Sequence, residues 1–154
     1  MAGPNRLIGR YEFPDGLWYH PQEHLWLSPA EPDPQGRRLV TVGLDALGVE
    51  ALGEVVYVQL SEPGQRVGAG QALGSLEAEK MVRPLLAPVS GVLVEVNGDL
   101  RAAPRLLNTE PYGRGWMVRV AAEAWEAESR GLLRAAADVE RWVREELAAY
   151  EERA

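Results

Sequence analysis

The hydrophobic and polar positions of the chain form three segments with different patterns. Between residues 53 and 120, short β-rich runs alternate with glycine and proline, which is typical of strands joined by tight turns. These runs cover residues 55–60, 71–76, 82–86, 92–96 and 117–120. Residues 39–42 have the β-branched composition of a strand, and residues 17–27, with three aromatic rings among polar residues, are also expected to be extended. Regular short strands of this kind predict an antiparallel sandwich or barrel.

Two other stretches have the pattern of helices. Residues 45–52 predict a short helix, with Asp45 as its N-cap and Gly53 as its stop. Near the end of the chain, apolar residues recur at spacings of three and four, which predicts an amphipathic helix. Its stripe consists of Leu132, Ala136, Val139, Val143, Leu147 and Tyr150. We expect this stripe to pack on the β-rich domain, although a partner protein could also bury it.

These patterns predict how the chain is divided. Residues 1–16 are expected to be a loose N-terminal extension, residues 17–125 a mainly β domain, and residues 126–154 a C-terminal helix that packs on or extends from it. A faint internal repeat supports a domain of two half-sheets, because residues 55–60 and 92–96 are each a strand that ends at a turn. The only lysine of the chain lies between the two halves.

Composition narrows the classes of function. The chain has 154 residues and a formal net charge of -7, which disfavours nucleic acid as a partner. No apolar run approaches the roughly 20 residues of a membrane helix, and residues 1–16 contain no signal-peptide core, so a cytoplasmic protein that does not bind membranes is expected. The sequence has no cysteine, so redox or acyl-transfer chemistry would require a borrowed group.

Lysine usage points to one position. Of the 16 basic residues, Lys80 is the only lysine. A compositional bias toward arginine explains why lysine is rare, but it does not explain why this one is kept. A guanidinium is a poor acylation target. A single lysine kept in a chain otherwise rich in arginine therefore indicates that the chemistry of its primary amine is needed.

The surroundings of Lys80 predict a hairpin. Glycines and a proline punctuate the strands on both sides of it, and a lysine at a hairpin tip is exposed to a modifying enzyme. The motif consists of Gly64, Gly70, Gly74, then Leu76-Glu77-Ala78-Glu79-Lys80-Met81-Val82, then Ala87-Pro88-Val89-Ser90-Gly91.

This motif and several outer blocks resemble the glycine cleavage H-protein family. Glu77, three residues before the lysine, and the Ala-Pro-Val-Ser-Gly run after it are similar to the family's lipoyl-lysine hairpin. The outer blocks lie in the same order as in the family and together cover about residues 17–120. They are Glu23-His24-Leu25-Trp26, Thr41-Val42-Gly43-Leu44, Ala51-Leu52-Gly53-Glu54-Val55-Val56 and the block from Asn108 to Trp116.

The resemblance implies both a fold and a role. The fold would be a flattened barrel-sandwich hybrid, and Lys80 would carry covalently attached lipoate, added by a lipoate ligase or lipoyl synthase. The chain would be a carrier rather than an enzyme, with no catalytic residue of its own. Its arm would take an aminomethyl group from a pyridoxal-phosphate glycine decarboxylase and present it to a tetrahydrofolate-dependent aminomethyltransferase. A dihydrolipoamide dehydrogenase would then reoxidise the arm.

Departures from the family pattern leave alternatives open. The residues around the lysine read Glu79-Lys80-Met81, and Arg83-Pro84 replaces small and acidic residues expected after it. The fold is unaffected, but the partners are less certain, and a lipoyl carrier for sulfur oxidation beside a heterodisulfide reductase-like complex is the second hypothesis. A biotin carrier is a third, disfavoured because Glu79 stands where such hairpins usually have methionine.

Two other residues are candidates for the site. Glu77 is expected either to order the hairpin through a hydrogen bond or to help the modifying enzyme recognise the lysine. His24 is interpreted as a structural histidine near the surface where the arm rests. His20, Glu23 and His24 also satisfy the spacing of an inverted zinc-protease motif, but Pro21 disfavours the helix which that motif needs, so we expect no metal site.

Overall fold

The computed structural model describes residues 6–153, so residues 1–5 of the predicted N-terminal extension and Ala154 lie outside the described part. Within this range the chain forms eleven strands and five α-helices. The strands are β1 (Leu7–Ile8), β2 (Tyr11–Glu12), β3 (Trp18–His20), β4 (Leu25–Pro29), β5 (Arg38–Leu44), β6 (Val55–Leu60), β7 (Arg66–Val67), β8 (Ala72–Ala78), β9 (Val82–Leu86), β10 (Gly91–Val96) and β11 (Val118–Ala122). The helices are α1 (Ala46–Leu52), α2 (Asp99–Ala102), α3 (Leu106–Thr109), α4 (Trp125–Glu128) and α5 (Ala136–Arg153), and a single 3₁₀ turn covers Ser129–Gly131.

The strands form two main antiparallel sheets and one small hairpin. The larger sheet has the order β3-β4-β5-β11-β10-β7, the smaller one has the order β6-β8-β9, and β1 pairs with β2. One hydrophobic cluster joins buried side chains of both main sheets, so the sheets form the two sides of a flattened sandwich. The mainly β fold predicted from the sequence is therefore confirmed.

Alternating burial explains why these runs become strands. In β11, Val118, Val120 and Ala122 are buried while the residues between them are not, so one face of the strand lies on the core. In the neighbouring strand β5, Val40 and Val42 are likewise buried and Thr41 between them is only partly buried. Each fully buried aliphatic side chain of this kind stabilises the fold by roughly 1.5–3 kcal/mol.

The first helix has the caps that the sequence predicts. The Asp45 side chain accepts a hydrogen bond from the backbone N–H of Gly48 at 2.9 Å, as an N-cap residue does. At the other end, Gly53 adopts a φ of 74°, a left-handed conformation that glycine adopts without strain, and its N–H donates to the carbonyl of Val49. The segment that follows this helix is thereby fixed beside the Lys80 hairpin.

The C-terminal helix α5 covers a second hydrophobic cluster. Val139 and Val143 are buried against Phe13, Tyr19 and Trp26. The rings of Trp142 and Phe13 meet edge to face, with their centroids 6.0 Å apart. The middle of the predicted apolar stripe thus lies on the β-rich part of the chain, but Leu132 lies before the start of α5 and packs against the main core cluster, and Tyr150 is 49% exposed.

The N-terminal segment differs from the loose extension expected from the sequence. Strands β1 and β2 form a hairpin in which Ile8 faces the second cluster and is buried, as is Phe13 just after it. Tyr19 reinforces this packing, since its hydroxyl donates to the carbonyl of Pro14 at 2.8 Å. Contact with α5 explains the order, because two strands of two residues each would be marginal without a partner. The predicted domain boundaries at residues 16 and 125 stay predictions.

Candidate functional site

Lys80 lies at the tip of the hairpin formed by β8 and β9. Glu77 pairs with Val82 at the end of the ladder, and the N–H of Ala78 donates to the carbonyl of Met81 at 3.0 Å, which closes the turn. Glu79, Lys80 and Met81 are all exposed. The primary amine of Lys80 is therefore accessible from solution.

The hairpin tip is also bound to the end of α1. The backbone N–H of Lys80 donates to the carbonyl of Leu52 at 3.2 Å, and that of Glu79 donates to the carbonyl of Glu54 at 2.9 Å. The side-chain Nζ of Lys80 donates to the carbonyl of Glu50 at 3.1 Å. The backbone of the tip is held at a fixed position, while the end of the side chain stays at the surface.

Glu77 and Glu79 differ in what they contact. The Oε1 atom of Glu79 accepts a hydrogen bond from the N–H of Glu54 at 3.3 Å, which adds a side-chain contact between the tip and the end of α1. The exposed Glu77 side chain makes no hydrogen bond or ion pair within residues 6–153. A side-chain hydrogen bond of the kind expected for Glu77 is made here by Glu79, which the sequence showed only as a departure from the family pattern. The two roles expected for Glu77 stay predictions.

Asn108 fixes the segment on which the tip rests. Its Nδ2 donates to the carbonyl of Gly53 at 2.7 Å, and its Oδ1 accepts from the N–H of Val55 at 2.9 Å. Gly53 and Val55 are the two neighbours of Glu54, whose carbonyl and N–H form hydrogen bonds with Glu79 in the hairpin tip. The sequence placed Asn108 in a family-like block, but its role here depends on a contact between residues more than 50 positions apart.

His24 lies in the turn between β3 and β4 and contacts Asp45, the N-cap of α1, and two residues of α5. Its Nδ1 is 3.2 Å from Oδ2 of the fully buried Asp45, and its Nε2 is 3.1 Å from Oε1 of Glu146 on α5. The imidazole stacks on Trp142, with ring centroids 5.0 Å apart. Its backbone φ is 54°, which is uncommon for a residue with a side chain and is held by these contacts.

These neighbours favour the charged form of His24. Burial by itself lowers the pKa of His24, but the hydrogen bond and charge of Asp45, together with Glu146, outweigh it and place the pKa above the ordinary value. His20 has the opposite environment, because burial holds the pKa of its imidazole below the ordinary value. The two histidines of the chain are therefore not equivalent.

Arg83 joins the hairpin to the turn that carries His24. Its guanidinium donates to the backbone carbonyl of Glu23 and lies 3.5 Å from the carboxylate of the same residue. The N–H of Glu23 in turn donates to Nδ1 of His20 at 3.1 Å. Arg83 thus fixes the residue directly before His24, a role that its position in the sequence did not reveal.

A cavity of about 540 Å³ lies beside the hairpin. Its lining consists of Tyr11, His24, Leu47, Glu50, Ala51, Met81, Glu146, Leu147 and Tyr150. Met81 follows the lysine, and Glu50 is the residue whose carbonyl accepts from its Nζ, so Lys80 lies at the edge of this cavity. A wider hollow of about 810 Å³ is lined by Arg6 and the outer face of α5 and includes no hairpin residue.

The geometry does not support the zinc-protease interpretation. His20 ends strand β3 and His24 follows in a turn, so the two imidazoles do not share one face of a helix. Among residues 6–153, no group of three His, Cys, Asp or Glu side chains is placed to hold a metal ion. The same part of the chain has no helix that is long and apolar enough to cross a membrane. What the site presents is an exposed amine on a fixed tip, next to a cavity.

The chain is similar to proteins of one family. The family model described as glycine cleavage H-protein matches residues 19–146. A glycine cleavage system H protein of Mycolicibacterium smegmatis is 42% identical over 113 residues, which cover 73% of this chain and 82% of that protein. The protein of the same name from Bifidobacterium longum is 38% identical over 117 residues, 76% of this chain and 80% of its own.

A solved structure has the same fold. The crystal structure of a glycine cleavage system H protein from Mycobacterium marinum superposes with a TM-score of 0.64 at 40% sequence identity. The match covers 73% of this chain and 87% of that one. The match therefore leaves about a quarter of this chain without a counterpart.

Proposed function

The chain belongs to the glycine cleavage H-protein family and is a lipoyl carrier of the glycine cleavage system, and we propose that Lys80 is the residue that bears its lipoyl arm. One observation carries the assignment: the only lysine of the chain stands exposed at a hairpin tip that five backbone and side-chain hydrogen bonds position. No other side chain offers a primary amine for an amide bond.

The residues around Lys80 fit such an arm. Lys80 Nζ is a free primary amine, and the adjacent cavity is within the size range of small-molecule sites, with both apolar and polar lining residues. When attached, the lipoyl group supplies a disulfide that accepts the aminomethyl group, which is chemistry that a chain without cysteine lacks. The chain itself holds the amide-linked arm at the tip and offers a cavity beside it.

We assign His24 to the surface on which the arm rests. Its imidazole lines the cavity, and Asp45, Glu146 and Trp142 fix its orientation. A cavity with rigid walls costs less ordering when the arm binds. We assign Glu77 to recognition by the enzyme that modifies Lys80, because its exposed carboxylate lies on the same strand ladder and is not used within the described residues.

Membership of the glycine cleavage system implies that the protein works with the other components of that system, as a carrier and not as an enzyme. We propose that these partners are a pyridoxal-phosphate glycine decarboxylase, a tetrahydrofolate-dependent aminomethyltransferase and a dihydrolipoamide dehydrogenase, with a lipoate ligase or lipoyl synthase attaching the arm. The net charge of -7 suits enzymes with basic docking faces. The cytoplasmic location expected from the sequence stays a prediction.

The exchange of labelled bicarbonate into glycine tests the proposed role. The lipoylated protein is mixed with glycine decarboxylase from the same organism, and we expect exchange to be stimulated at least tenfold over the unlipoylated protein. The matched control is the Lys80→Arg protein after the same lipoylation treatment. An active decarboxylase that responds equally to all three proteins would contradict the proposal.

A further inference from the structure

The cavity beside Lys80 has a wall that extends past the end of the family match. Three of its nine lining residues belong to α5: Glu146, Leu147 and Tyr150. The family model ends at residue 146, so Leu147 and Tyr150 lie beyond it, and Tyr11 lies before its first matched residue. The end of the long C-terminal helix thus shapes the place that the arm would occupy.

Charge within this lining is mostly negative. Its ionisable carboxylates are Glu50 and Glu146, its only basic side chain is that of His24, and it has neither lysine nor arginine. Glu50 is already paired, since Arg10 donates to its Oε1 at 2.8 Å. Both carboxylate oxygens of the nearby Asp45 have partners, because Oδ1 caps α1 and Oδ2 pairs with His24.

Glu146, unlike Glu50, has no arginine partner among the described residues. His24 engages its Oε1, and its Oε2 has no hydrogen-bond partner among the described residues. Its side chain is 33% exposed, so it borders both the cavity and water. Glu146 lies on α5, whereas Glu50 lies on α1, where its carbonyl accepts a hydrogen bond from Lys80 Nζ at the attachment point of the arm.

We propose that Glu146 on the C-terminal helix binds the ammonium group of the aminomethyl cargo when the loaded arm lies in the cavity. This inference rests on the proposed attachment of the arm to Lys80. A carboxylate and an alkylammonium form a charge-assisted hydrogen bond, which is stronger than one between neutral groups, while a neutral cargo of similar size gains no such bond. Glu146 is therefore a residue that sets the specificity of the cavity for a cationic cargo.

The cargo can be added without any enzyme, which gives a direct measurement. The reduced arm reacts as S–H + CH2O + NH4⁺ → S–CH2–NH3⁺ + H2O, and hydrolysis is the reverse. With formaldehyde alone, the same thiol gives the neutral adduct S–CH2–OH. Fully lipoylated and reduced protein is treated with ¹³C-formaldehyde, with or without ammonium chloride, and the fraction of each adduct is measured by ¹³C NMR and intact mass.

Glu146→Gln is compared with Glu145→Gln, which makes the same change one position earlier, on the part of α5 that lines the other hollow. We expect Glu146→Gln to reduce the equilibrium fraction of the aminomethyl adduct relative to that of the hydroxymethyl adduct by about five- to tenfold, the effect of one partly exposed charge-assisted hydrogen bond. Glu145→Gln should match the wild type in both adducts.

Two results would overturn the inference. One is that Glu146→Gln gives the same adduct fractions as Glu145→Gln. The other is that Glu146→Gln lowers both adducts equally, which would indicate damage to the cavity rather than loss of a contact to the ammonium. Neither result would bear on the arm itself, whose absence would already be visible as a missing lipoyl mass before formaldehyde is added.

Discussion

The side-chain Nζ of Lys80 donates a hydrogen bond to the backbone carbonyl of Glu50, with the two atoms 3.1 Å apart. This contact joins the tip of the β8–β9 hairpin to the last turn of α1, where carbonyl groups lack partners within the helix. Glu50 also lines the cavity. The same residue therefore positions the amine, and under the proposed attachment it would form part of the surface next to the arm.

Replacing Lys80 with arginine tests the attachment site. Lys80→Arg keeps a donor that can reach the carbonyl of Glu50, so we expect the melting temperature to change by no more than about 2 °C. A guanidinium is not acylated under these conditions, so the lipoyl adduct should be lost completely. Intact mass after co-expression with a lipoate ligase and lipoate measures this. An adduct that persists in the variant would refute the assignment to Lys80.

The charge of His24 predicts how stability depends on pH. Because the pKa of His24 in the folded state is raised, its stabilising charge is fully present below the unfolded value of about 6.5 and is lost as the pH rises through the folded value. We therefore expect the melting temperature to fall as the pH increases from about 6.5 to 8.5.

His24→Asn is the matched variant, because asparagine tolerates the positive φ of this position. The melting temperature of this variant, measured by differential scanning calorimetry, should depend less on pH over the same interval than that of the wild type. His20 does not interfere there, since its lowered pKa reduces stability only as the pH falls below about 6.5. Parallel curves for the wild type and His24→Asn would contradict the prediction.

Removal of the C-terminal helix tests whether it stabilises the fold. Truncation after Glu128 deletes Val139 and Val143, whose burial is worth roughly 1.5–3 kcal/mol each. We expect the melting temperature to fall by about 10 °C or more, while Lys80 remains a substrate for lipoylation. Val143→Ala, a milder change, should lower it by a few degrees. If the truncated protein were as stable as the full chain, α5 would have to serve a partner instead.

Close backbone contact at Gly74 predicts a severe effect of a single methyl group. A Cβ there would lie 2.0 Å from the carbonyl oxygen of Gln59 on the paired strand β6, and the strands would have to separate. We expect Gly74→Ala to lower the free energy of unfolding by about 3 kcal/mol or more.

Gly70→Ala is the matched control, because it lies in the same motif and has open space around its Cβ position. Its φ of 88° makes alanine strained, so a cost of about 1 kcal/mol is expected. Urea denaturation of both variants gives the comparison. Equal losses would show that the strand contact at Gly74 is not the cause.

Local patterns in the sequence determined much of the fold. The β-branched runs between turns predicted the strands around the core, and Asp45 and Gly53 predicted the ends of α1, since each of these depends on near neighbours in the chain. The stripe on the tail predicted helix α5 because its spacing matches the helical repeat. The glycines and the proline on both sides of Lys80 predicted the hairpin that carries it.

Tertiary structure alone decided what surrounds that tip. His24 meets Glu146 across 122 residues, and Arg83 meets Glu23 across 60, so neither pair leaves a periodic or local signature in the sequence. The N-terminal hairpin packs with α5 in the second hydrophobic cluster, and α5 also forms one wall of the cavity beside Lys80. The sequence by itself thus determined the position of the reactive amine, because a turn is specified by its own residues. The cavity depended on packing between distant segments, and only the folded chain shows which of them meet.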